Sequence, residues 1–201
     1  MHSVPILDGK FYKGDVHKIA ECLLGKIFVR ILNGNVLSGK IVEVEAYDGL
    51  TDEASHAYNG KTKRNEVMFR QGGLLYVYFT YGMHYCANVV TGNTDDPKAV
   101  LLRGIEPVEG IEQMSLNRYG KKSFTKKEFS NLTNGPAKLC KAFGIERPEN
   151  GIDLTGEKIF ILDSPKLNKS EIIITTRIGI NKSINLPWRY YIKNNLFVSK
   201  K

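Results

Sequence analysis

Cysteine is scarce in this chain of 201 residues, with only Cys22, Cys86 and Cys140, far apart and in no C-x-x-C pair. An odd, dispersed set excludes a disulfide framework and fits a reducing compartment. No stretch approaches the ~20 apolar residues that a bilayer crossing needs, so no membrane partner is expected. The opening, Met-His-Ser-Val-Pro-Ile-Leu-Asp-Gly-Lys, lacks the charged head and apolar middle of a secretory signal. The expected location is therefore the cytoplasm, not the exterior. Histidine is sparse too, at four residues, and His84-x-Cys86 is the only nearby pair with ligand spacing. It lacks the further Cys or His ligands of a structural zinc site, so no metal is expected. Internal repeats, low-complexity tracts and long linkers are also missing, which leaves one domain over residues 1–201 as the expectation.

What is present is an uneven charge. Lys and Arg total 29 against 21 acids, a net charge of +8. Residues 1–100 hold 11 basic and 11 acidic groups, whereas residues 101–201 hold 18 and 10 and carry the whole excess. A neutral half joined to a basic half suits a site-bearing face beside a phosphate-facing surface. A lysine-rich surface that merely keeps the protein soluble reads the same way.

The local patterns mix strands and helices. Asp15 can cap a helix whose apolar stripe is Val16, Ile19, Ala20, Leu23 and Leu24, with Gly25 closing it. Lys26 to Leu32 reads as a strand, Asn33-Gly34 as a hairpin turn, and Val36 to Ala46 as the return strand. Leu74 to Val90 is rich in β-branched and aromatic residues, and Ala99 to Arg103 resembles a buried strand. Residues 115–134 are polar and basic, which predicts a mobile surface loop or a frayed helix. Ala137 to Phe143 should be helical, and Glu171–Ile174 and Tyr190–Val198 should return to strand. Without a βαβ rhythm, the expected fold is α+β, one mixed domain around a curved, largely antiparallel sheet with flanking helices.

Three constellations stand out. Glu43 and Glu45 sit two apart on a strand, so both point to one face, with Val42, Val44 and Ala46 on the other. That face is either a solvated acidic edge or a cleft in which one carboxylate, beside Tyr47, works as a general base. Tyr76 to Tyr85 holds Tyr76, Tyr78, Phe79, Tyr81 and Tyr85 around Gly82, which marks a turn. Buried phenols need partners, so this is either an aromatic-packed sheet or a base-stacking surface. Arg103 interrupts the apolar run Ala99-Val-Leu-Leu-Arg-Gly104. It ends the strand in solvent or pairs with a buried carboxylate, with Glu45 an obvious candidate. His56 is a lone histidine, a type more often a hydrogen-bonded structural residue than a catalytic one.

Taken together, these blocks resemble the 3-methyladenine (alkyladenine) DNA glycosylase family of the vertebrate and bacterial type. The similarity runs through Ile41-Val-Glu-Val-Glu45-Ala-Tyr47 and Asp52-Glu-Ala-Ser-His56. It continues through Leu75-Tyr-Val-Tyr78-Phe-Thr-Tyr81-Gly-Met83-His-Tyr-Cys-Ala-Asn88 and Val100-Leu-Leu-Arg103-Gly-Ile-Glu-Pro107, then Asn134-Gly-Pro-Ala-Lys-Leu-Cys140 and Arg177-Ile178-Gly179. Six blocks in order, from about residue 40 to 180, make a specific signal. His84 stands where the family often has tyrosine, and Ser183 to Trp188 is short relative to longer members, which bears on local DNA contacts.

The resemblance implies a monofunctional enzyme that flips alkylated purines, 3-methyladenine and its relatives, out of damaged duplex DNA and hydrolyses the N-glycosidic bond. An abasic site would remain, and no cofactor is implied. Glu45 would activate water, and Arg103 with the Ile178 backbone carbonyl would hold that water. Tyr47, His56 and Tyr78 would line the base pocket, with Asn88 at its floor excluding the 2-amino group of guanine. Tyr81 would wedge into the duplex, with Met83 on the same hairpin. No lysine takes the base's position in the matched blocks, so neither a Schiff base nor strand cleavage is expected. The implied state is a monomer in the cytoplasm, or with DNA in a nucleoid or nucleus. Two other classes compete: a nucleic-acid-binding protein that stacks bases on the tyrosine face without cutting, and a small-glycoside hydrolase with two carboxyl groups about 5–9 Å apart.

Overall fold

Asp15 accepts hydrogen bonds from the backbone N–H of His17 and Lys18 at 3.1 and 3.0 Å. It thereby caps helix α1, Val16–Leu23, whose buried residues are Val16, Ile19, Ala20 and Leu23. The chain then enters strand β1, Ile27–Leu32. Asn33 and Gly34 both take positive φ, the backbone that a two-residue hairpin requires, and lead into β2, Asn35–Asp48. A computed structural model describes residues 4–200 of this fold.

β2 is the spine. One edge pairs with β5, Lys98–Glu109, over its whole length. The other edge pairs with β1 over its first half and with β8, Arg189–Ile192, over its second. β3, Leu75–Thr80, and β4, His84–Thr91, form a hairpin that extends the sheet beyond β5. β6, Ile159–Leu162, adds to β1, and β7, Ile172–Thr175, adds to β8. The order is β3-β4-β5-β2-β1-β6 with β7 and β8 branching from β2, and every pairing is antiparallel. The expected α+β class is borne out: a curled antiparallel sheet with short helices packed against it.

Alternation separates two faces of this sheet. Val44, Ala46, Val77, Val89, Val100 and Leu102 face the main core, joined there by residues of α1, of α2 (Ile111–Tyr119) and of α4 (Pro136–Phe143). Tyr76, Val90 and Ala99 face the other way, beneath Ala57, Val67 and Met68 of the β2–β3 connection. The same second face carries Glu45, Tyr78, Asn88 and Leu101, so the sheet that builds the core also presents the site.

Two expectations need correction. Of the two alternatives for residues 115–134, the mobile loop is overturned and helix is found, though capped and not frayed: they contain the end of α2 and helix α3, Lys126–Ser130, which has a full capping box between Thr125 and Glu128. Leu132 and Thr133 are buried, and the Thr133 hydroxyl donates to Ile105 O. The strand expected over Tyr190–Val198 ends at Ile192. Asn194 turns the chain with φ +59°, and the Asn195 side chain binds both Glu106 and the Phe197 N–H. Phe197 and Val198 are buried all the same, which is why their apolar pattern imitates a strand.

Candidate active site

The acidic face of β2 is not solvated. Glu43 and Glu45 are both fully buried, so each carboxylate must find its partners within the protein. Glu45 Oε1 accepts the Ile178 N–H at 2.7 Å. Its Oε2 accepts the Tyr47 hydroxyl at 2.8 Å and lies 3.3 Å from Arg103 Nη1. The pairing of Arg103 with Glu45 therefore exists, and Arg103 does not end its strand in solvent.

Glu43 is engaged differently. Oε1 takes Arg103 Nε at 3.2 Å, Arg189 Nε at 2.7 Å and the Ser199 hydroxyl at 2.9 Å, while Oε2 takes the Ser199 N–H at 2.6 Å. Glu43 therefore carries four donors, three of them on Oε1, which is more than its two lone pairs direct. Glu45 Oε1, with one donor, keeps an acceptor position free. Each carboxylate thus has one oxygen with a single donor, and what separates them is position: Tyr47, Arg103 and Ile178, which hold Glu45, all line the site's cavity, whereas Glu43 is also enclosed by Arg189 and Ser199, which do not.

Arg103 reaches between them because of a β-bulge. Glu43 pairs with Gly104 and Val44 with Leu102, so Arg103 is the extra, unpaired residue on β5. Such a bulge bends the strand and re-aims a side chain. Burial works against the charge of the guanidinium, but Glu45 and then Glu43 outweigh it and hold Arg103 above its ordinary pKa.

A cavity of about 560 Å³ opens on this face, within the range of small-molecule sites. Tyr47, His56, Tyr78, Asn88, Arg103 and Ile178 are among its walls; Glu45 lies one layer behind, in contact with Tyr47, Arg103 and Ile178. His56 Nδ1 is 3.1 Å from the Tyr76 hydroxyl, and its ring meets Tyr78 edge-on at 4.5 Å. Partial burial of the ring against the cavity wall, helped by the nearby Arg64 charge, pushes His56 down to about 4 although the residue keeps solvent contact, so near neutral pH the ring is uncharged. Burial above all, then the Glu45 carboxylate to which it donates, pushes the Tyr47 phenol up. Burial likewise raises Tyr78, with Cys86 the next contributor. Asn88 Nδ2 donates to Tyr76 O at 3.1 Å, which fixes the orientation of its amide.

Tyr81 and Met83 stand apart from these walls' interior. They occupy the β3–β4 turn with 83% and 70% of their surface exposed. Tyr81 lines the cavity rim and takes φ +51°, a left-handed backbone rarely used by aromatic residues.

Sequence reasoning did not single out several participants. Arg177 and Asp52, 125 residues apart, form a bidentate pair at 2.5 and 2.8 Å with both side chains fully buried. Arg177 also donates to Ala46 O and packs its guanidinium 4.5 Å from the Tyr47 ring centre and 5.1 Å from that of Trp188. It thus backs a pocket wall and precedes Ile178. Both residues lay inside the matched blocks, but only their charge within buried surroundings could have marked them. Arg189 and Ser199, which bind Glu43, had no such marker. Among the described residues, no three His, Cys, Asp or Glu side chains gather as a metal-ligand set, and no helix is long and apolar enough to cross a membrane.

The chain is similar to known proteins over almost its whole length. Residues 10–196 match the family model described as "Methylpurine-DNA glycosylase (MPG)". It is 51% identical over 197 residues to a protein of Carboxydothermus hydrogenoformans, covering 98% of this chain and all of that one. It is 48% identical over 206 residues to a Clostridium botulinum protein, covering 98% of this chain and 100% of the relative. Identity to a Bacillus cytotoxicus protein is 46% over 198 residues, covering 94% and 97%. All three bear the name "Putative 3-methyladenine DNA glycosylase".

Proposed function

The chain belongs to the methylpurine-DNA glycosylase family, and from that premise we propose that it flips methylated purines, 3-methyladenine among them, out of duplex DNA and hydrolyses their N-glycosidic bond. The whole chain acts as one glycosylase domain, and its products are the free base and an abasic site. The observation that carries this reading is a carboxylate with an acceptor position free, Glu45, held by three residues of the cavity wall, Tyr47, Arg103 and Ile178, at the back of a base-sized cavity.

Each residue has a task that its chemistry suits. Flipping a stacked base costs a few kcal/mol. Tyr81, exposed on its turn, fills the gap left in the duplex, with Met83 beside it. The extruded base enters between Tyr47, Tyr78 and His56. A purine alkylated on a ring nitrogen is cationic, and tyrosine faces favour a cation by ~0.5–2 kcal/mol. His56 is neutral and adds no repulsion. Asn88, its amide tied to Tyr76 O, bars the 2-amino group of guanine.

A cationic base is a good leaving group, so the bond to C1′ breaks ahead of water attack and positive charge develops on the sugar. Glu45 stabilises that charge and accepts a proton from the attacking water. Arg103 and the Ile178 carbonyl hold the water at the cavity wall in front of Glu45. Retention of four donors on Glu43 argues against the two-carboxylate glycoside hydrolase. A stacking platform alone has no use for buried carboxylates, which are costly to desolvate.

The test is direct. Incubated with methylated duplex DNA, the protein should release 3-methyladenine and leave alkali-labile sites. Binding without release would mean a nucleic-acid-binding protein and end the proposal.

A further inference from the structure

The residues after β8 return to the back of the site. Phe197 and Val198 are buried, Phe197 packs edge-on against Phe129 of α3 at 5.4 Å, and the Asn195 side chain anchors to Glu106 at 2.9 Å. The Arg189 guanidinium donates to Lys200 O. Gly104, next to the bulged Arg103, makes this approach possible: a Cβ there would lie 2.5 Å from Phe197 O and 3.2 Å from the Glu43 Cβ. The segment 197–200 is thus a strap laid across β5 where Arg103 leaves it.

The strap ends on the guanidinium itself. Arg103 Nε is bound by Glu43 at 3.2 Å, Nη2 donates to the Ser199 hydroxyl at 3.3 Å, and Nη1 lies 3.3 Å from Glu45. Ser199 completes the frame by donating its hydroxyl to Glu43 Oε1 and its N–H to Oε2. A guanidinium is a planar fork, so fixing Nε and Nη2 from behind determines where Nη1 points. Because Arg103 is the unpaired residue of a bulge, ladder hydrogen bonds do less to fix it than they would in a regular strand.

We propose that Ser199, acting with Glu43, is a positioning residue: the C-terminal strap aims Arg103 at Glu45 and at the water attacking the sugar. The proposal rests on the glycosylase reading above. Ser199 touches no substrate, and its effect falls on the chemical step, not on DNA binding.

The test compares Ser199→Ala and Ser199→Thr with the wild-type protein in single-turnover excision from methylated duplex DNA. Ser199→Ala retains the backbone bond to Glu43 but loses both hydroxyl contacts. Its maximal rate at saturating protein should fall roughly 5- to 50-fold. The protein concentration giving half that rate should not move, and the melting temperature should stay well above that of the assay, falling by only a few degrees. Ser199→Thr keeps a hydroxyl at the same place and should restore the rate. A wild-type maximal rate for Ser199→Ala overturns the proposal. So does failure of Ser199→Thr to restore it, or a rate loss accounted for by unfolding at the assay temperature or by weakened DNA binding. If the wild-type protein releases no base at all, the glycosylase reading falls and takes the positioning role with it. Release by wild type with no effect of Ser199→Ala removes only the strap's role.

Discussion

Tyr81 offers a test in which stability and activity should move in opposite directions. It is the first of two consecutive residues with positive φ in the β3–β4 turn, followed by Gly82 at +66°. A type I′ turn favours Asn or Gly at that position, and an aromatic side chain there costs about 1 kcal/mol or somewhat more. The ring recovers little of this by packing, since 83% of the residue is exposed. Tyr81→Asn should therefore stabilise the free protein by about 1 kcal/mol, raising the melting temperature by roughly 2–4 °C for a chain of this size. Function should suffer instead. If the ring stacks in the gap left by the flipped base, its loss forfeits ~1–3 kcal/mol, or about 5- to 150-fold in the flipped population. The assay is single-turnover excision from duplexes carrying one lesion, paired or mismatched, with melting curves alongside. A mismatched lesion is already partly unstacked, so the defect should shrink there. Tyr78→Ser should show no such rescue, because a pocket ring meets the base wherever it came from. A lowered melting temperature for Tyr81→Asn would refute the strain argument, and an excision defect equal on both duplexes would refute the wedge.

Four further outcomes are expected. Glu45→Gln keeps shape but loses the proton acceptor, so the single-turnover rate should drop roughly 10²- to 10⁴-fold with lesion binding intact; near-normal excision would remove Glu45 as the base. Because folding lowers His56 to about 4, the unfolded chain binds the extra proton between ~6.5 and that value, so stability should fall as pH drops through this window. His56 is solvent-exposed at the cavity, so the effect is small; His56→Gln should flatten that part of a stability–pH curve, and an unchanged curve would contradict the assignment. Asp52→Asn leaves the Arg177 charge buried without its partner, which costs about 3–5 kcal/mol and on the order of 10 °C in melting temperature; a loss under 1 kcal/mol by denaturant titration would show that the pair is dispensable. Affinity for undamaged duplex should fall with salt at a slope of about −0.9 per phosphate contact, and neutralising lysines of residues 101–201 should shallow it more than changing those of residues 1–100; equal effects from both halves would dismiss the charge asymmetry.

Much of the architecture is local and was therefore legible in the chain. Asp15 before an apolar stripe, Asn33-Gly34 between two alternating runs, and Gly82 within the tyrosine block each specify their element through neighbours a few residues away. Where apolar residues mimicked a period without belonging to it, as at Phe197 and Val198, the reading failed, because irregular backbone can bury a side chain as well as a strand does. The polar run over residues 115–134 misled in the opposite sense. Its short helices are held by a capping box and by buried Leu132 and Thr133, contacts that composition does not display.

At the site, sequence by itself determined which chemistry was available: two carboxylates on one strand face, an arginine in an apolar run, and a cluster of phenols. It also determined family membership, through six ordered blocks. Only the tertiary structure decided how those groups divide the work. Glu43 and Glu45 are equivalent by spacing, yet β5, β8 and the C-terminal strap enclose Glu43, whereas Glu45 is held by residues that line the cavity. Arg103 lies between them because a register shift leaves it out of the ladder, and Arg177 pairs with an aspartate 125 residues away. A side chain's chemical type is carried by the residue itself, and its facing by the backbone period. Its charge balance, hydrogen-bond saturation and access to water depend on segments remote in sequence, which meet only when the sheet closes around them.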